Sequence, residues 1–388
     1  MYEQIRADML FIILYSGVTF MAMLASCYLL LRRANAIAPD ITPPLRLRRW
    51  TGAFLASIAL SHVWYMPIFF LSSSEDRRLC DLIGGLLDSM TYFPLAIVVL
   101  LTMLQDRRRP LWPVGVMMAP IIAGNAWDVV TRSYALLPIL YVYYLLMCLG
   151  LILYMIRASR QYGRWLRDNF SDLEHKEVWQ SIVVLAVMLL MFAVYALTNE
   201  SQAYVYAMLV VSTLLVGYLL WRVETLSDLG SLVQPESAIA VDEVAEEEAA
   251  ATDKAADDDH TAAIRHRPAS SIGLSKNIGP LLKQHCEEPQ LYLQYDISLA
   301  QLATLIGINR SYLSRYFASQ GITYNAYING LRIQHFVELY REAVATHQPV
   351  TAQQLAYQSG FRNYNTFSAA FKRMMGMNAT EWMLTVKS

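Results

Sequence analysis

The chain has 388 residues, of which 55% are hydrophobic, and a formal net charge of -1. Its mean hydropathy of +0.31 exceeds that of ordinary soluble proteins, and the apolar excess lies before Trp221. The composition therefore excludes a single soluble domain and predicts two domains of different solvent class. The four cysteines form no CxxC pair, which argues against a disulfide framework or a zinc site, and no metal or cofactor is predicted.

Seven apolar runs in residues 1–222 are long enough to cross a bilayer, whose hydrocarbon core of about 30 Å takes roughly 20 helical residues. The first run exceeds the length of a signal-peptide core and lacks a convincing cleavage site, so we interpret it as a retained anchor. A set of buried soluble helices is the alternative, and seven successive runs disfavour it. The predicted spans are residues 9–31, 51–71, 82–104, 111–130, 134–156, 178–198 and 203–221.

Basic residues are concentrated in alternate loops, which predicts that these loops are cytoplasmic. The loops after the second and fourth spans carry only Arg77, Arg78 and Arg132. The N-terminus is then outside and the C-terminal part is cytoplasmic, in the inner membrane of a bacterium, with the lipid bilayer as a partner. The basic loops after the first, third and fifth spans contain Arg32, Arg33, Arg46, Arg48, Arg49, Arg107, Arg108, Arg109, Arg157, Arg160, Arg164, Arg167 and Lys176.

Polar residues inside the predicted spans are candidates for signal sensing, because ionisable groups are costly in a membrane. These are His62, Asp88, Asn125 and Asp128. On the predicted topology all but His62 lie in the outer half, which predicts a polar cavity open to the outside for a signal ligand or membrane partner. Two alternatives stay open: a structural hydrogen bond for His62 and Asp88, and an interfacial pair with Arg132 for Asp128.

The predicted linker, residues 223–275, is acidic. Its segment "PESAIAVDEVAEEEAAATDKAADDDH" has ten carboxylates, one lysine and no aromatic residue, so it cannot bury enough apolar surface to fold. It is either a solvated tether, or its carboxylates compete with DNA phosphates for the basic face of the domain that follows. Four apolar residues at the end of the last span, Val223, Leu226, Leu229 and Val233, form one stripe, which is either a homodimer contact or a frayed helix end.

Two segments of residues 276–388 repeat one layout. "SLAQLATLIGINRSYLSRYF" and "TAQQLAYQSGFRNYNTFSAAF" each have an N-cap residue, an apolar helix, a glycine and a second helix. Ser298 and Thr351 are the predicted N-caps, and Gly307 and Gly360 mark the turns. This layout predicts two helix-turn-helix units. Their second helices are predicted over residues 310–320 and 364–374, and one helix over residues 324–344 connects the units.

With this doubled motif the chain resembles the AraC/XylS family of bacterial transcription regulators over residues 277–387. Three positions depart from the family pattern: Phe336 replaces a small residue, Ala369 stands where arginine is frequent, and Ala379 replaces a proline. The residues that carry the resemblance are Tyr312, Leu313, Ser314, Arg315, Phe317, Gly321, Tyr327, Ile328, Leu331, Arg332, Ile333, Ala356, Gly360, Phe361, Phe367, Phe371, Lys372 and Gly376.

The resemblance implies that two recognition helices enter successive major-groove segments of double-stranded promoter DNA. The side chains of the two helices support this role independently of the resemblance. Hydrogen-bonding side chains lie opposite the apolar stripe of each helix, and arginine suits guanine while asparagine suits adenine. From Asp296 onward there are eight Lys or Arg against four carboxylates, a basic balance that DNA binding requires. The predicted DNA-binding residues are Arg310, Ser311, Ser314, Arg315, Arg362, Asn363, Tyr364, Asn365, Ser368, Lys372 and Arg373, of which Lys372 and Arg373 suit phosphate.

The sequence therefore predicts an all-α protein with a seven-helix transmembrane bundle and a C-terminal double helix-turn-helix domain. The predicted function is a membrane-embedded one-component transcription regulator. It is not expected to be an enzyme, because no nucleophile or metal-spacing motif is present. The alternative is a membrane transporter or enzyme with an attached DNA-binding feedback domain, in which His62, Asp88 and Asp128 carry protons or ions. A second copy of the chain and RNA polymerase stay open as further partners.

Overall fold

The computed structural model describes residues 8–32, 34–39, 41–180, 202–229 and 278–387. All the regular secondary structure in these ranges is helical, so the predicted all-α class is confirmed. The chain divides into two units. The first comprises Met1–Tyr162 and His175–Gln234, and the second comprises Gly163–Glu174 and Pro235–Ser388. The inclusion of Gly163–Glu174 in the second unit has no counterpart in the sequence pattern.

The described residues include six helical regions that are long and apolar enough to cross a membrane. The third is broken at Thr91, where Pro94 cannot donate a backbone hydrogen bond to the preceding turn. The fifth begins at Leu137 and ends at Asn169, 13 residues beyond its predicted end at residue 156. The helices are α1 (Met9–Leu31), α2 (Leu45–Tyr65), α3 (Ser74–Met90), α4 (Tyr92–Met103), α5 (Trp112–Thr131), α6 (Leu137–Asn169) and α7 (Gln202–Thr225).

Two predicted segments lie largely outside the described residues. The sixth predicted span, residues 178–198, leaves them after residue 180, and the acidic linker, residues 223–275, leaves them after residue 229. Both therefore stay predictions.

Helices α1 and α7 contact each other at both ends and run parallel. The hydroxyl of Tyr206, near the start of α7, donates to the carboxylate of Asp8 at the N-cap of α1. The hydroxyl of Tyr28, near the end of α1, donates to Glu224 in the last turn of α7. A parallel pair of spans is what an odd total number of crossings requires of the first and last helix.

Glu224 is fully buried and joins three segments of the first unit. Its carboxylate accepts from the backbone N–H groups of Ala36 and Ile37 at 2.9 and 2.7 Å, and it lies 4.0 Å from the guanidinium of Arg48, which is 2% exposed. Arg48 also donates to the carbonyl of Leu29 at 3.0 Å. A buried carboxylate with a cationic partner and two backbone donors is adequately satisfied. It fixes the end of α7 against the loop after α1.

The apolar stripe at the end of α7 is internal. Val223 and Leu226 are fully buried and Leu229 is 2% exposed, while Val233 lies outside the described residues. Gln105 holds this end of the chain, because its side chain donates to the carbonyl of Ser227 and accepts from the N–H of Leu229. These three residues pack inside their own unit, so they do not form the predicted homodimer contact. Helix α7 ends at Thr225, so the stripe does not continue as a helix beyond that residue.

The second unit contains two hydrophobic cores that share one helix, α10. The first core includes Leu313 and Phe317, and the second includes Phe367 and Phe371. Helix α10 contributes Ile328 to the first core and Phe336 to the second, which confirms the predicted connecting helix. The helices are α8 (Leu299–Leu305), α9 (Arg310–Ser319), α10 (Tyr324–Ala345), α11 (Ala352–Gln358), α12 (Tyr364–Met375) and α13 (Ala379–Lys387).

Phe336 is the centre of the second core. It is fully buried, and its ring centroid lies 4.7 Å from that of Phe367 and 5.4 Å from that of Phe371. Aromatic pairs at these separations stabilise a core beyond their buried area. Trp382 packs against the same rings from α13. The large residue at position 336 therefore fills the space between α10, α12 and α13.

Candidate nucleic-acid interface

Each helix-turn-helix unit begins with the same capping arrangement. The hydroxyl of Ser298 accepts from the N–H of Gln301 at 3.2 Å, and the Gln301 side chain accepts from the N–H of Ser298 at 2.8 Å. Thr351 and Gln354 repeat this reciprocal pair with distances of 3.2 and 3.1 Å. Such capping boxes satisfy two otherwise unpaired backbone donors at a helix start. Both predicted N-caps are confirmed, and they fix α8 and α11 in equivalent positions.

The turn of each unit contains a glycine with positive φ. Gly307 has φ of 70° and Gly360 has φ of 85°, a region that residues with a Cβ atom adopt only at a cost. The two sites differ in their surroundings. A Cβ at position 307 would meet nothing within 4 Å, whereas one at 360 would lie 2.7 Å from Leu293 Cα and 2.8 Å from its carbonyl oxygen.

The first recognition helix, α9, presents Arg315 to solvent. Leu313 and Phe317 are buried on its inner side, as the spacing predicted. The Arg315 guanidinium lies 5.2 Å from the ring centroid of Tyr312, which is 38% exposed. Contact with an aromatic ring restrains an arginine side chain. Tyr312 therefore forms part of the outer surface beside Arg315, and Ser314 is half-buried.

The second recognition helix, α12, has a less polar outer face. Asn365, Lys372 and Arg373 are exposed on it, but so is Ala369, whose methyl group cannot hydrogen-bond. The predicted site residue Tyr364 is half-buried, with its ring 5.6 Å from that of Phe367, so it contributes to the core. Of the remaining predicted residues, Ser311 on α9 and Ser368 on α12 are half-buried, and Arg362, which precedes α12, is exposed.

Two predicted DNA-binding residues are already engaged within the second unit. The guanidinium of Arg310, the first residue of α9, donates to the side-chain oxygen of Asn169 at 2.7 and 3.1 Å. Asn363, the N-cap of α12, accepts from the N–H of Asn365 at 2.7 Å and donates to the carboxylate of Glu174 at 3.2 Å. Sequence reasoning missed Asn169 and Glu174, because no local pattern links them to positions more than 140 residues later.

Arg332 is buried beneath the interface in a structural role. It is 2% exposed and donates to the carbonyls of Tyr292 and Gln294, both at 2.7 Å. Burial lowers the pKa of Arg332 to about 10, and the charge of Asp172 opposes that shift. The guanidinium therefore stays charged at neutral pH and fixes the chain that precedes α8.

The structure shows the contacts of the four sensing candidates, and the predicted polar cavity stays a prediction. Asp88 accepts from Ser61 at 3.1 Å, and Asn125 donates to the carbonyl of Gly85 at 3.4 Å, so both interact with or lie on α3. The ring of His62 stacks against Tyr15 with 4.7 Å between centroids, and its Nδ1 lies 2.9 Å from the Ile58 carbonyl.

Asp128, by contrast, is fully buried and accepts from the N–H of Leu136 at 3.2 Å. Its carboxylate thus connects the end of α5 to the start of α6. Within the part of the chain that the structure describes, no group of three or more His, Cys, Asp or Glu residues is placed to hold a metal ion.

Comparison with known proteins places the similarity in the second unit. Residues 302–384 match the family model HTH_18, a helix-turn-helix domain. An uncharacterized HTH-type transcriptional regulator of Staphylococcus aureus (strain MRSA252) is 30% identical over 92 residues, which are 24% of this chain and 12% of the relative. A regulator of the same description from strain COL is 29% identical over 92 residues, with the same coverage. No solved structure matches significantly.

The chain thus spans 12% of the length of the curated relatives it matches. The similarity covers both helix-turn-helix units and leaves the apolar helices of the first unit without a match among these relatives.

Proposed function

We propose that this chain is a membrane-embedded transcription regulator that binds promoter DNA through two recognition helices and responds to a signal received in its membrane bundle. The observation that carries the proposal is that one chain joins a doubled helix-turn-helix domain to membrane-competent helices, of which the described residues contain six. The relatives, described as HTH-type transcriptional regulators, support the DNA-binding half. The resemblance to the AraC/XylS family makes promoter DNA the expected partner.

Helix α10 supports simultaneous binding of both helix-turn-helix units to DNA. Because α10 contributes to both hydrophobic cores, it fixes the separation of the two helix-turn-helix units. Recognition helices that read a duplex must reach major-groove segments about 34 Å apart or bend the DNA between them. Selection from random duplexes by the full chain in lipid nanodiscs should recover a motif with two half-sites about one helical turn apart. Recovery of no recurrent sequence would contradict the proposal.

The orientation in the membrane is a testable part of the proposal. Arginine-rich alternate loops favour an external N-terminus, and the parallel contact of α1 with α7 is consistent with seven crossings, which would leave the second unit in the cytoplasm. A reporter enzyme fused after Ser73 should therefore behave as external, and one fused after Arg108 as cytoplasmic. The same location for both fusions would rule out the proposed topology.

We place signal reception at Asp88 and Asn125, since these are the two sensing candidates that share contacts at α3. Asp88→Asn keeps the size of the side chain and removes its charge. We expect this variant to shift the signal response of a target promoter several-fold without changing the affinity of the protein for DNA. Asp81→Asn, at the predicted outer surface, is the matched control. An unchanged response in a normally inserted D88N protein would make Asp88 a structural residue.

The transporter alternative is less well supported by the contacts of the ionisable residues. Asp128 satisfies a backbone N–H at a helix junction, and His62 stacks on a tyrosine of α1. These contacts suit packing, whereas a proton pathway requires groups that exchange partners. Proton-coupled uptake by reconstituted vesicles would favour the transporter.

A further inference from the structure

The second unit includes a short segment from the loop between the fifth and sixth predicted spans, residues 169–174, which we call the docking segment. It begins at Asn169, the last residue of α6, and has the sequence "NFSDLE". Phe170, Ser171 and Asp172 within it are buried, with at most 4% of their surface exposed. Such burial in a loop between two predicted spans requires a specific binding surface.

That surface begins at the start of the first helix-turn-helix unit. Phe170 forms an antiparallel backbone bridge with Ser298, the N-cap of α8. The N–H of Ser171 donates to the carbonyl of Ile297 at 3.3 Å. The docking segment therefore pairs through its backbone with the residues that begin α8, as an added strand does in peptide recognition.

The connecting helix holds the docking segment from the other side. The side chain of Asn325, near the start of α10, donates to the carbonyls of Phe170 and Ser171 at 3.2 and 2.8 Å. Asn325 in turn accepts from Asn329 at 3.1 Å, and Asn329 contacts Arg332 at 3.4 Å. This chain of buried polar contacts leaves the docking segment with satisfied backbone groups and thus a defined position.

Both ends of the docking segment reach the starts of the recognition helices. Asn169 accepts two hydrogen bonds from Arg310 at the start of α9, and Glu174 accepts one from Asn363 at the start of α12. In helix-turn-helix proteins the N-terminal residues of the recognition helix contact the DNA. The docking segment therefore occupies side chains that a duplex would need at both recognition helices at once.

The negative charge of the docking segment also opposes the binding of DNA. Glu174 adds a carboxylate at the start of α12, which a DNA phosphate would otherwise approach, and Asp172 adds a second negative charge within the segment. Helix N-termini and arginine side chains attract either kind of anion, so carboxylates held there compete with phosphates.

The docking segment is also the direct continuation of a membrane-competent helix. Helix α6 runs without a break from Leu137 to Asn169, about 50 Å at 1.5 Å per residue. Its first part is a predicted span, and its last residue holds Arg310. A shift or rotation of this helix displaces Asn169, and a helix is stiff enough to carry that displacement over such a length.

From these contacts we infer that the loop after the fifth span is an internal competitor of DNA, whose docking on Arg310, Asn325 and Asn363 holds the protein in a state of low DNA affinity. The inference rests on the proposed function. A signal that moves α6 releases the segment and frees both recognition helices together. The partner of this surface is thus an acidic segment of the same chain.

A reversible lock tests the inference in the full chain reconstituted in nanodiscs. Bridged residues of an antiparallel pair have Cα atoms about 4.5 to 5.5 Å apart, within the range that a disulfide spans. Phe170→Cys with Ser298→Cys should therefore crosslink on oxidation, with each single variant as a control for the native cysteines. Oxidation should weaken binding to random-sequence duplexes at least fivefold relative to the reduced form of the same protein.

The opposite change should have the opposite effect. Asn169→Ala with Glu174→Gln should bind the same duplexes about tenfold more tightly than wild type, a typical coupling between sites. Asp168→Asn, which removes one exposed charge next to the segment, is the matched control and should leave affinity unchanged.

Failure to form the disulfide, or equal affinity of locked, reduced and released proteins, would overturn the inference while leaving the proposed function intact. Absence of DNA binding in every form, including the released variant, would overturn the proposed function and the inference with it.

Discussion

Replacement of Gly360 by alanine should cost about 4 kcal/mol or more in the stability of the second helix-turn-helix unit, an exceptional value for a single methyl group. A residue with a Cβ pays roughly 1 to 2 kcal/mol in the left-handed region. The added carbon would also lie 2.7 Å from the Cα of Leu293. The Cβ of residue 360 is fixed by its own backbone, and the Cα of Leu293 belongs to the chain before α8. Neither atom can therefore move away without displacing the backbone.

Gly307→Ala is the matched control, since Gly307 occupies the same turn in the first unit with φ of 70° and no atom within 4 Å of the added carbon. It should cost only the backbone strain, about 1 to 2 kcal/mol. Hydrogen exchange of the full chain measures both. Amides of α11 and α12 should lose protection by about a thousandfold in G360A, at 1.4 kcal/mol per tenfold, and those of α8 and α9 by about tenfold in G307A. Similar losses in the two variants would contradict the geometry at Leu293.

Arg315→Ala should weaken binding to the selected DNA site by about 1 to 3 kcal/mol and relax the base preference at one position of each site. Arg315 is exposed on α9 and lies against the ring of Tyr312, and arginine is the side chain best suited to guanine. Binding to random duplexes should change much less. Fluorescence anisotropy with the selected and random duplexes measures this difference.

Lys372→Ala is the comparison that separates base reading from phosphate binding. Lys372 lies in the last turn of α12, and a lysine–phosphate contact carries no sequence information. This variant should weaken binding to all duplexes alike and lower the slope of log affinity against log salt by about one. If the two variants behaved alike on both kinds of DNA, the assignment of roles would be wrong.

The helices of both units were predictable from the sequence because their signals are local. Runs of apolar residues gave the membrane-competent helices, and the 3.6-residue spacing of Leu313 with Phe317 and of Phe367 with Phe371 gave the recognition helices. Ser298 and Gly307 mark helix ends through their own backbone preferences. The doubled layout then predicted α10, because one helix of suitable length remained between the two units.

The contacts that connect distant parts of the chain were not predictable in this way. Glu224 reads as one charge after an apolar run, and only the fold places it beside Tyr28 and Arg48. Asn169 and Glu174 read as a polar loop, yet they meet Arg310 and Asn363. Such contacts depend on which surfaces the fold brings together. A six-residue segment has no periodicity from which its partners could be predicted.

Genome-wide mapping of the DNA crosslinked to the full chain in cells, combined with membrane fractionation, tests the central claim most directly. A regulator that works from the membrane should sediment with the membrane fraction and occupy a small set of promoters. Arg315→Ala should remove that occupancy while the protein stays in the membrane. Occupancy that is absent in the wild type, or that persists unchanged in the Arg315→Ala protein, would contradict the claim that this chain reads promoter DNA from the bilayer.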